Sequence, residues 1–223
     1  MSEASRRASY SGERPDLARL VARFAEPGNL VIDVGCSTGA FGGLIQESLG
    51  VRVVGIERDP DLAHEAESRI ERVLVGDAAQ GLAQVLSDST LTPRIVVFGD
   101  VLEHLVDPWS AFDQAVDLLV DGGHIVVSLP NVAHLDTFLG LLRGRWPMRS
   151  RGIHDDSHLR FFARRDVRDL MMRGGCRIVA LEKNYRIVDR PSRINRFAWL
   201  IGWAWPNVLT YQFLVVASVP SST

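Results

Sequence analysis

Cysteine is nearly absent from this chain. Its 223 residues include two cysteines, Cys36 and Cys176. Two thiols cannot build a multi-bridge disulfide framework, and they cannot supply the four ligands of a structural zinc site. We therefore expect both thiols to be free and the protein to reside in a reducing, cytoplasmic compartment.

The chain also lacks an excess of charge of either sign. Lysine and arginine together number 25 and the acidic residues 27, which gives a formal net charge of −2 and a pI near 6.3. A protein that holds a polyanion usually carries a positive excess. Nucleic acid is therefore not an expected partner.

Long apolar runs are missing as well. Residues 1–14 contain no apolar stretch, so they predict a flexible N-terminal segment and no secretory leader. The most apolar late stretch, residues 197–214, is interrupted by glycine, proline, asparagine and glutamine and falls short of the roughly 20 apolar residues of a bilayer span. We expect no membrane span, while contact with a membrane surface remains open.

What the sequence does contain is a regular alternation of apolar runs and helical spacings. Runs typical of buried parallel strands occupy residues 30–34, 51–56, 73–75, 94–98 and 122–129, with helical patterns between them. The helix after Asp107 is predicted to bury one face, formed by Trp109, Phe112, Val116 and Leu119. The alternation predicts a doubly wound, Rossmann-like α/β sheet with helices on both faces, and the length predicts one domain over residues 15–223.

The pattern changes after residue 129. Residues 130–156 are irregular with some helical spacing, residues 166–173 read as a helix, and residues 177–181 and 213–219 read as two late strands. These features predict an insertion that follows the fifth strand, with further strands added to the sheet afterwards.

Ligands of an open parallel sheet bind outside the carboxyl ends of its strands. The first strand ends in a loop with Gly35 and Gly39, and the second ends at Glu57, where a carboxylate can accept from both ribose hydroxyls. Asp77 follows the third strand, where it can accept from an adenine amino group. These positions predict a nucleoside site, whose candidate residues are Asp33, Gly35, Cys36, Gly39, Glu57, Arg58, Asp77, Ala78 and Gly99.

These segments resemble the class I S-adenosylmethionine-dependent methyltransferases, particularly the methyltransferase type 11/12 group. Gly35, Gly39, Glu57 and Asp77 match that family's motif, while Ser37 stands where it usually has a central glycine. The resemblance implies S-adenosylmethionine as cofactor and a seven-stranded mixed sheet whose last strand is antiparallel. The segments 100–108 and 158–162 also match, the latter being similar to enzymes that modify saccharides and natural products.

Two histidines, His104 and His158, are the candidates for catalysis, because an imidazole can orient or deprotonate an acceptor hydroxyl. Residues 130–162 are expected to cover the substrate. His154, Asp155, Asp156 and His158 carry metal-ligand chemistry, but close neighbours in an extended chain do not all point inward, so we predict no metal site. Nine arginines against four aspartates between Arg143 and Arg173 leave open an anionic acceptor or a solvated surface.

The main hypothesis is therefore O-methylation of a sugar or secondary metabolite. An inactive binding or scaffold protein of the same fold, with Trp199, Trp203 and Trp205 contacting a partner or lipid, is the alternative, and a homodimer is open in either case. An NAD-dependent enzyme is disfavoured because the G-x-G-x-x-G pattern fails at Ser37 and Ala40. Cys36 and Asp77 also have plainer interpretations, as a small loop residue and as a helix cap.

Overall fold

The computed structural model describes residues 12–186, 195 and 205–221. Seven strands form one sheet in the order β3-β2-β1-β4-β5-β7-β6. The strands are β1 (Leu30–Val34), β2 (Arg52–Glu57), β3 (Arg72–Val75), β4 (Pro93–Gly99), β5 (His124–Pro130), β6 (Arg177–Tyr185) and β7 (Thr210–Ser218). The predicted seven-stranded, doubly wound sheet is confirmed.

The first five strands pair in parallel, and β7 enters antiparallel between β5 and β6. Every residue of β1 is buried, as expected for a central strand that is covered by helices on both faces. The antiparallel entry of β7, which the resemblance implied, brings its first residues to the same edge as the carboxyl ends of β4 and β5. That edge holds the candidate site.

Eight α-helices occur among the described residues. They are α1 (Pro15–Val21), α2 (Ala40–Leu49), α3 (Pro60–Ala66), α4 (Ala78–Ser87), α5 (Pro108–Leu118), α6 (Leu135–Leu142), α7 (Arg164–Met171) and α8 (Pro206–Leu209). Three of them begin after an aspartate whose side chain accepts from backbone N–H groups of the first turn: Asp59, Asp77 and Asp107. This is the usual N-cap chemistry, and it sets where those helices start. No helix of the described residues has the length and hydropathy needed to cross a bilayer.

The core lies on both faces of the sheet. One apolar cluster joins β1, β2, β4, β5 and β7 to α4, α5 and α7, and the other joins the opposite face of the sheet to α1 and α2. The predicted buried face of α5 is partly wrong. Trp109 is exposed, and the face that packs on the sheet consists of Ala111, Phe112, Ala115 and Leu118, with Val116 and Leu119 partly buried against it. The face that α5 buries is thus displaced by about one residue from the face that its largest side chains predict.

The insertion after β5 folds back over the sheet edge. Asn131 bridges to Phe162, and the backbone N–H groups of Leu159 and Arg160 donate to the carbonyl of Glu103 at 2.8 and 3.0 Å. These bonds close residues 131–162 over the segment that follows β4. Of the C-terminal tryptophans, Trp205 is exposed, whereas Trp199 and Trp203 lie outside the described residues.

Candidate active site

The loop between β1 and α2, residues 35–39, has an unusual backbone. Gly35, Ser37 and Gly39 all have positive φ angles, of 72°, 49° and 74°. A Cβ atom at Gly35 would lie 2.7 Å from the Cγ2 atom of Val101, so no side chain fits there. This glycine loop therefore places bare backbone at the N-terminus of a ten-residue helix, directly beside the segment that follows β4.

Ser37 takes the position of the family's central glycine, and it adopts the left-handed conformation that a glycine would take without strain. Its Oγ atom is buried and has no hydrogen-bond partner among the residues that the structure describes. A buried hydroxyl without a partner is rare in folded proteins and requires an explanation. A ligand in the glycine loop would supply the missing partner.

Glu57 is buried at the end of β2 and its carboxylate is held from both sides. Its Oε2 accepts from the backbone N–H of Ser37 and its Oε1 from that of Asp59, each at 2.9 Å. Each oxygen keeps a second lone pair for another donor. Glu57 is thus fixed against the glycine loop, in an orientation that can receive the two hydroxyls of a ribose.

Asp33 lies on β1 below the loop and is fully buried. Burial, with the nearby Glu57 carboxylate second, raises the pKa of Asp33 to about 7. Cys36 points away from the loop: a Cβ at Gly55 would lie 2.4 Å from its Sγ, and burial raises the pKa of the thiol far above its usual value. Only the backbone of Cys36 is available to a ligand, and its thiol is an inert packing group.

The remaining candidate cofactor residues lie outside the glycine loop, at the ends of β2, β3 and β4. Asp77 is exposed and caps α4, with its Oδ1 accepting from the N–H of Gln80 at 2.8 Å, and Ala78 is the first residue of that helix. Arg58 is exposed beyond β2, and Gly99 is half-buried at the end of β4. The structure therefore brings together the loop, Glu57 and Asp33, while Asp77 and Arg58 lie at the solvent edge.

His104 and His158 meet edge to face, with ring centroids 4.7 Å apart. The Nδ1 of His158 lies 3.1 Å from the carbonyl of Ile153 and that of His104 lies 3.3 Å from the carbonyl of Ser157. A carbonyl only accepts, so the bond to Ile153 assigns the proton of the neutral His158 ring to Nδ1 and leaves its Nε2 as the basic nitrogen. The Nδ1 of His104 also lies 3.3 Å from the hydroxyl of Ser157, which can either donate or accept. Burial lowers the pKa of both rings, which keeps them neutral near pH 7.

Glu103 completes this cluster and was missed by the sequence reading. It is almost fully buried, and its Oε1 lies 4.0 Å from the Nε2 of His158. Within the described part of the chain, its Oε2 has no hydrogen-bond partner. Burial, followed by the charge of Asp100, raises the pKa of Glu103 well above its usual value. One atom from each of Glu103, His104 and His158 lies within 4.8 Å of the others, so the three could share one cation.

The cluster considered from sequence, His154 to His158, does not form as a unit. The Nε2 of His154 lies 2.9 Å from the hydroxyl of Thr137, and Asp155 accepts from the hydroxyl and the N–H of Ser157. Only His158 of that group turns toward Glu103. The expectation that near neighbours point in different directions fits this geometry.

A cavity of about 770 Å³ opens beside the histidine pair, at the edge where β4 and β5 end and β7 begins. We call it the strand-end cavity. Asp100, with a positive φ of 59°, accepts from the hydroxyl of Ser128 at 2.7 Å, from the amide of Gln212 at 2.5 Å and from the guanidinium of Arg14. Three distant parts of the chain thus converge on the carboxylate of Asp100.

Of the residues described, four arginines line this cavity together with four acidic side chains, those of Asp16, Asp100, Glu103 and Asp155. Arg149 forms an ion pair with Asp136 at 2.7 Å, and the guanidinium of Arg186 stacks 4.0 Å above the ring of Tyr211. Arg151 also lines the cavity and is exposed. Within the described part of the chain, Arg151 and Arg186 form no ion pair with a carboxylate. The rim therefore offers positive charge to a ligand.

Comparison with known proteins identifies the family. The sequence profile described as a methyltransferase domain matches residues 10–181, which is more than half of the chain. The chain belongs to the methyltransferase-domain family. By sequence and fold it is a class I, S-adenosylmethionine-dependent methyltransferase, as the resemblance implied.

The curated relatives of this methyltransferase include several that are named ubiquinone biosynthesis O-methyltransferase. The one from Cupriavidus pinatubonensis is 34% identical over 186 residues, which are 75% of this chain and 71% of the relative. The one from Xanthomonas campestris is 31% identical over 120 residues, 50% of this chain and 47% of the relative. The alignment with the Xanthomonas relatives therefore spans about half of their length.

Solved structures show the same fold at low sequence identity. A SAM-dependent methyltransferase from Archaeoglobus fulgidus superposes with a TM-score of 0.65 at 16% identity, over 93% of this chain and 94% of the other. The magnesium protoporphyrin IX methyltransferase from Synechocystis superposes with a TM-score of 0.63 at 18% identity, over 95% and 83%. At these identities the likeness concerns the fold alone.

The residues of the glycine loop fit this cofactor. The positive φ angles, the side-chain-free backbone at Gly35, the unpartnered Ser37 hydroxyl and the held carboxylate of Glu57 together provide the surroundings that an adenosyl group with an amino-acid tail requires. The methyltransferase therefore has a glycine loop that fits the cofactor and, next to the segment that follows β4, the strand-end cavity.

Proposed function

We propose that this methyltransferase transfers a methyl group from S-adenosylmethionine to a hydroxyl oxygen of a small molecule bound in the strand-end cavity. The observation that carries the proposal is the cavity itself, which has the neutral histidine pair in its wall and adjoins the glycine loop through Val101. The two relatives are named as O-methyltransferases, which supports an oxygen acceptor.

The cofactor supplies an electrophilic methyl group on a sulfonium. In this chain the backbone of Gly35 to Gly39 binds its amino-acid portion, Glu57 holds the ribose diol, and Asp77 with the N–H of Ala78 meets the adenine edge. Asp33 lies beneath the loop, where a cationic ligand would favour its charged form against the burial that raises its pKa. These assignments follow the family motif, and the held carboxylate of Glu57 is their strongest structural support.

His158 is proposed as the group that receives the acceptor's proton. Its Nδ1–H is bonded to the carbonyl of Ile153, so the lone pair is on Nε2, which lies 4.0 Å from the Oε1 of Glu103 in the wall of the cavity. A neutral imidazole held in one tautomer is suited to general-base catalysis near neutral pH. His104 contacts the same ring and is proposed to keep it in place or to share the role.

The acceptor is proposed to be a sugar or secondary metabolite that carries an acidic group. Arg151 and Arg186 lie at the cavity mouth without a carboxylate partner among the described residues, and the stacking of Arg186 on Tyr211 holds its guanidinium in position. A carboxylate or phosphate on the acceptor would form ion pairs with the guanidinium groups of both arginines. Residues 130–162 would then form the wall that closes over it.

Calorimetric titration with S-adenosylhomocysteine, followed by transfer of a labelled methyl group to a panel of hydroxylated acceptors, tests the proposal. Each acceptor is paired with its O-methyl ether and, for acids, with its methyl ester. We expect binding of the cofactor product, transfer only to free hydroxyls, and preference for the acid over the ester. A folded protein that binds no cofactor product would instead support the scaffold alternative.

Asp77→Ala is expected to weaken S-adenosylhomocysteine binding by a smaller factor than loss of Glu57, because the N–H of Ala78 remains. It also removes a helix cap, which costs about 1 kcal/mol of unfolding free energy. Asp107→Ala is the matched control, since Asp107 caps α5 through the N–H of Ser110 at 3.0 Å and is not a candidate cofactor residue. Equal loss of affinity in the two variants would refute an adenine contact at Asp77.

Asp33→Asn is expected to flatten the pH dependence of stability. The pKa of Asp33 is raised to about 7 in the folded protein against 3.8 for the free side chain. The native state therefore holds this proton more tightly, so its ionisation lowers the unfolding free energy as pH rises from about 4 to 7. Denaturant titrations across that range should show a smaller decline in the variant than in the original protein. If the unfolding free energy of both proteins falls equally with pH, the prediction for Asp33 is wrong.

A further inference from the structure

Helix α6 differs from a normal surface helix in that its apolar side chains face solvent. Of its eight residues, Leu135–Leu142, only Thr137 is buried. Phe138 and Leu141 are each 56% exposed and Leu142 is 68% exposed. Positions i, i+3 and i+4 lie on one side of a helix, so these three side chains form one apolar stripe with no partner among the described residues.

The stripe continues into the turn that follows. The N–H of Arg145 donates to the carbonyl of Gly140 at 2.9 Å, and a Cβ at Gly140 would lie 3.2 Å from Pro147, so the turn folds back against the helix. Met148 is exposed and extends the apolar surface from there. Trp146 adds to its edge: the ring packs edge to face on His154 and Phe161 and keeps 37% of its surface exposed. We define the apolar face as Phe138, Leu141, Leu142, Trp146 and Met148.

The charge around this face has one sign. Residues 137–150 contain three arginines and no acidic residue. Arg149 is paired with Asp136. Arg143 and Arg145 are exposed and form no ion pair with a described carboxylate, although Arg143 donates to the carbonyl of Leu139 at 3.0 Å. Two uncompensated cations therefore flank a tryptophan and a row of large aliphatic side chains.

We propose that the apolar face docks on an anionic lipid surface. Large aliphatic and aromatic side chains bordered by arginine are the combination by which helices bind in the headgroup region of a bilayer, with the apolar side inserted and the cations at the phosphates. A second copy of the chain fits less well, because an isologous contact would bring Arg143 and Arg145 of both copies together.

The position of the face gives the docking a consequence. The chain runs directly from Met148 into Arg149, Ser150, Arg151 and Gly152, which line the strand-end cavity. A lipid surface at the apolar face therefore lies next to the cavity mouth and can deliver a membrane-bound acceptor. The docking itself does not depend on which acceptor is methylated, and it is measured without turnover.

Vesicle co-sedimentation tests the proposal. The full chain is mixed with phosphatidylglycerol-rich vesicles or with pure phosphatidylcholine vesicles. We expect binding to the anionic vesicles that is about tenfold stronger and weakens with added salt. The double substitution Leu141→Ser, Leu142→Ser should abolish it, and Arg143→Gln with Arg145→Gln should remove the preference for anionic lipid. Leu86→Ser, at an exposed leucine of α4, is the matched control and should bind as the original does.

Three results would overturn the inference. Binding that survives the double leucine substitution would place the lipid contact elsewhere. Absence of vesicle binding would exclude a lipid surface as the partner of the apolar face. A dimer in analytical ultracentrifugation that the double leucine substitution converts to monomer, without vesicle binding, would show that a second copy covers the face. Unfolding temperature and S-adenosylhomocysteine affinity confirm that each variant is folded.

Discussion

His158→Ala is expected to lower turnover by roughly 10²–10⁴, the range for loss of a positioned general base, while the affinity for S-adenosylhomocysteine stays unchanged. The Nδ1–H of His158 is bonded to the carbonyl of Ile153, which leaves Nε2 as the proton acceptor in the wall of the strand-end cavity. Removing the ring removes that acceptor but touches no residue of the glycine loop. Steady-state rates and calorimetry on the same preparation separate the two effects.

His104→Ala is the companion variant and His64→Ala is the control, because His64 lies exposed on α3. Unchanged turnover in both His104→Ala and His158→Ala would show that proximity alone drives transfer. The Glu103, His104 and His158 cluster raises a rival explanation, in which a divalent cation is bound there. Under that explanation a chelator abolishes activity and an added divalent ion restores it, whereas a general base is insensitive to both.

Glu57→Ala should weaken cofactor binding at least tenfold. Hydrogen bonds to a charged group contribute about 1.5–3 kcal/mol each, and the carboxylate can make two with a ribose diol. Glu57 also orders the glycine loop by accepting from the N–H of Ser37, so the substitution removes both the ligand contact and its support. Titration calorimetry with S-adenosylhomocysteine measures the loss directly.

Two controls separate these contributions. Glu57→Gln keeps one acceptor oxygen for the loop but lacks the charge, so its affinity should fall between those of the original and the alanine variant. Glu71→Ala removes an exposed glutamate that pairs with Arg52 at the surface and should leave affinity unchanged. If a folded Glu57→Ala protein binds the cofactor product with full affinity, the assignment of the ribose site is wrong.

The fold could be predicted from the sequence because it depends on local patterns. Buried parallel strands require continuous apolar runs, and each run ended within one or two residues of an observed strand end among the first five strands. Aspartate caps and prolines at the first turn likewise act within a few residues, as at Asp59-Pro60 and Asp107-Pro108. The buried face of α5 was harder to predict, because small residues of the helix pack on the sheet and Trp109 does not.

The strand-end cavity shows the opposite case. Asp100 is bound by Arg14, Ser128 and Gln212, which lie 86, 28 and 112 residues away from it in the chain. No spacing rule connects such positions. Their meeting depends on the antiparallel entry of β7 and on α1 packing beside β5, both of which are properties of the assembled sheet.

The sequence by itself determined the alternation of strands and helices, the glycine loop and the carboxylate that ends β2, because each depends on neighbouring residues and on the rule that parallel strands present their carboxyl ends at one edge. Only the tertiary structure decided the partner of His158. Glu103 and His104 lie more than fifty residues earlier, and the insertion reaches them because two backbone N–H groups beyond His158 bond to one carbonyl of Glu103. Such a contact depends on how the chain folds back, which local propensity does not encode.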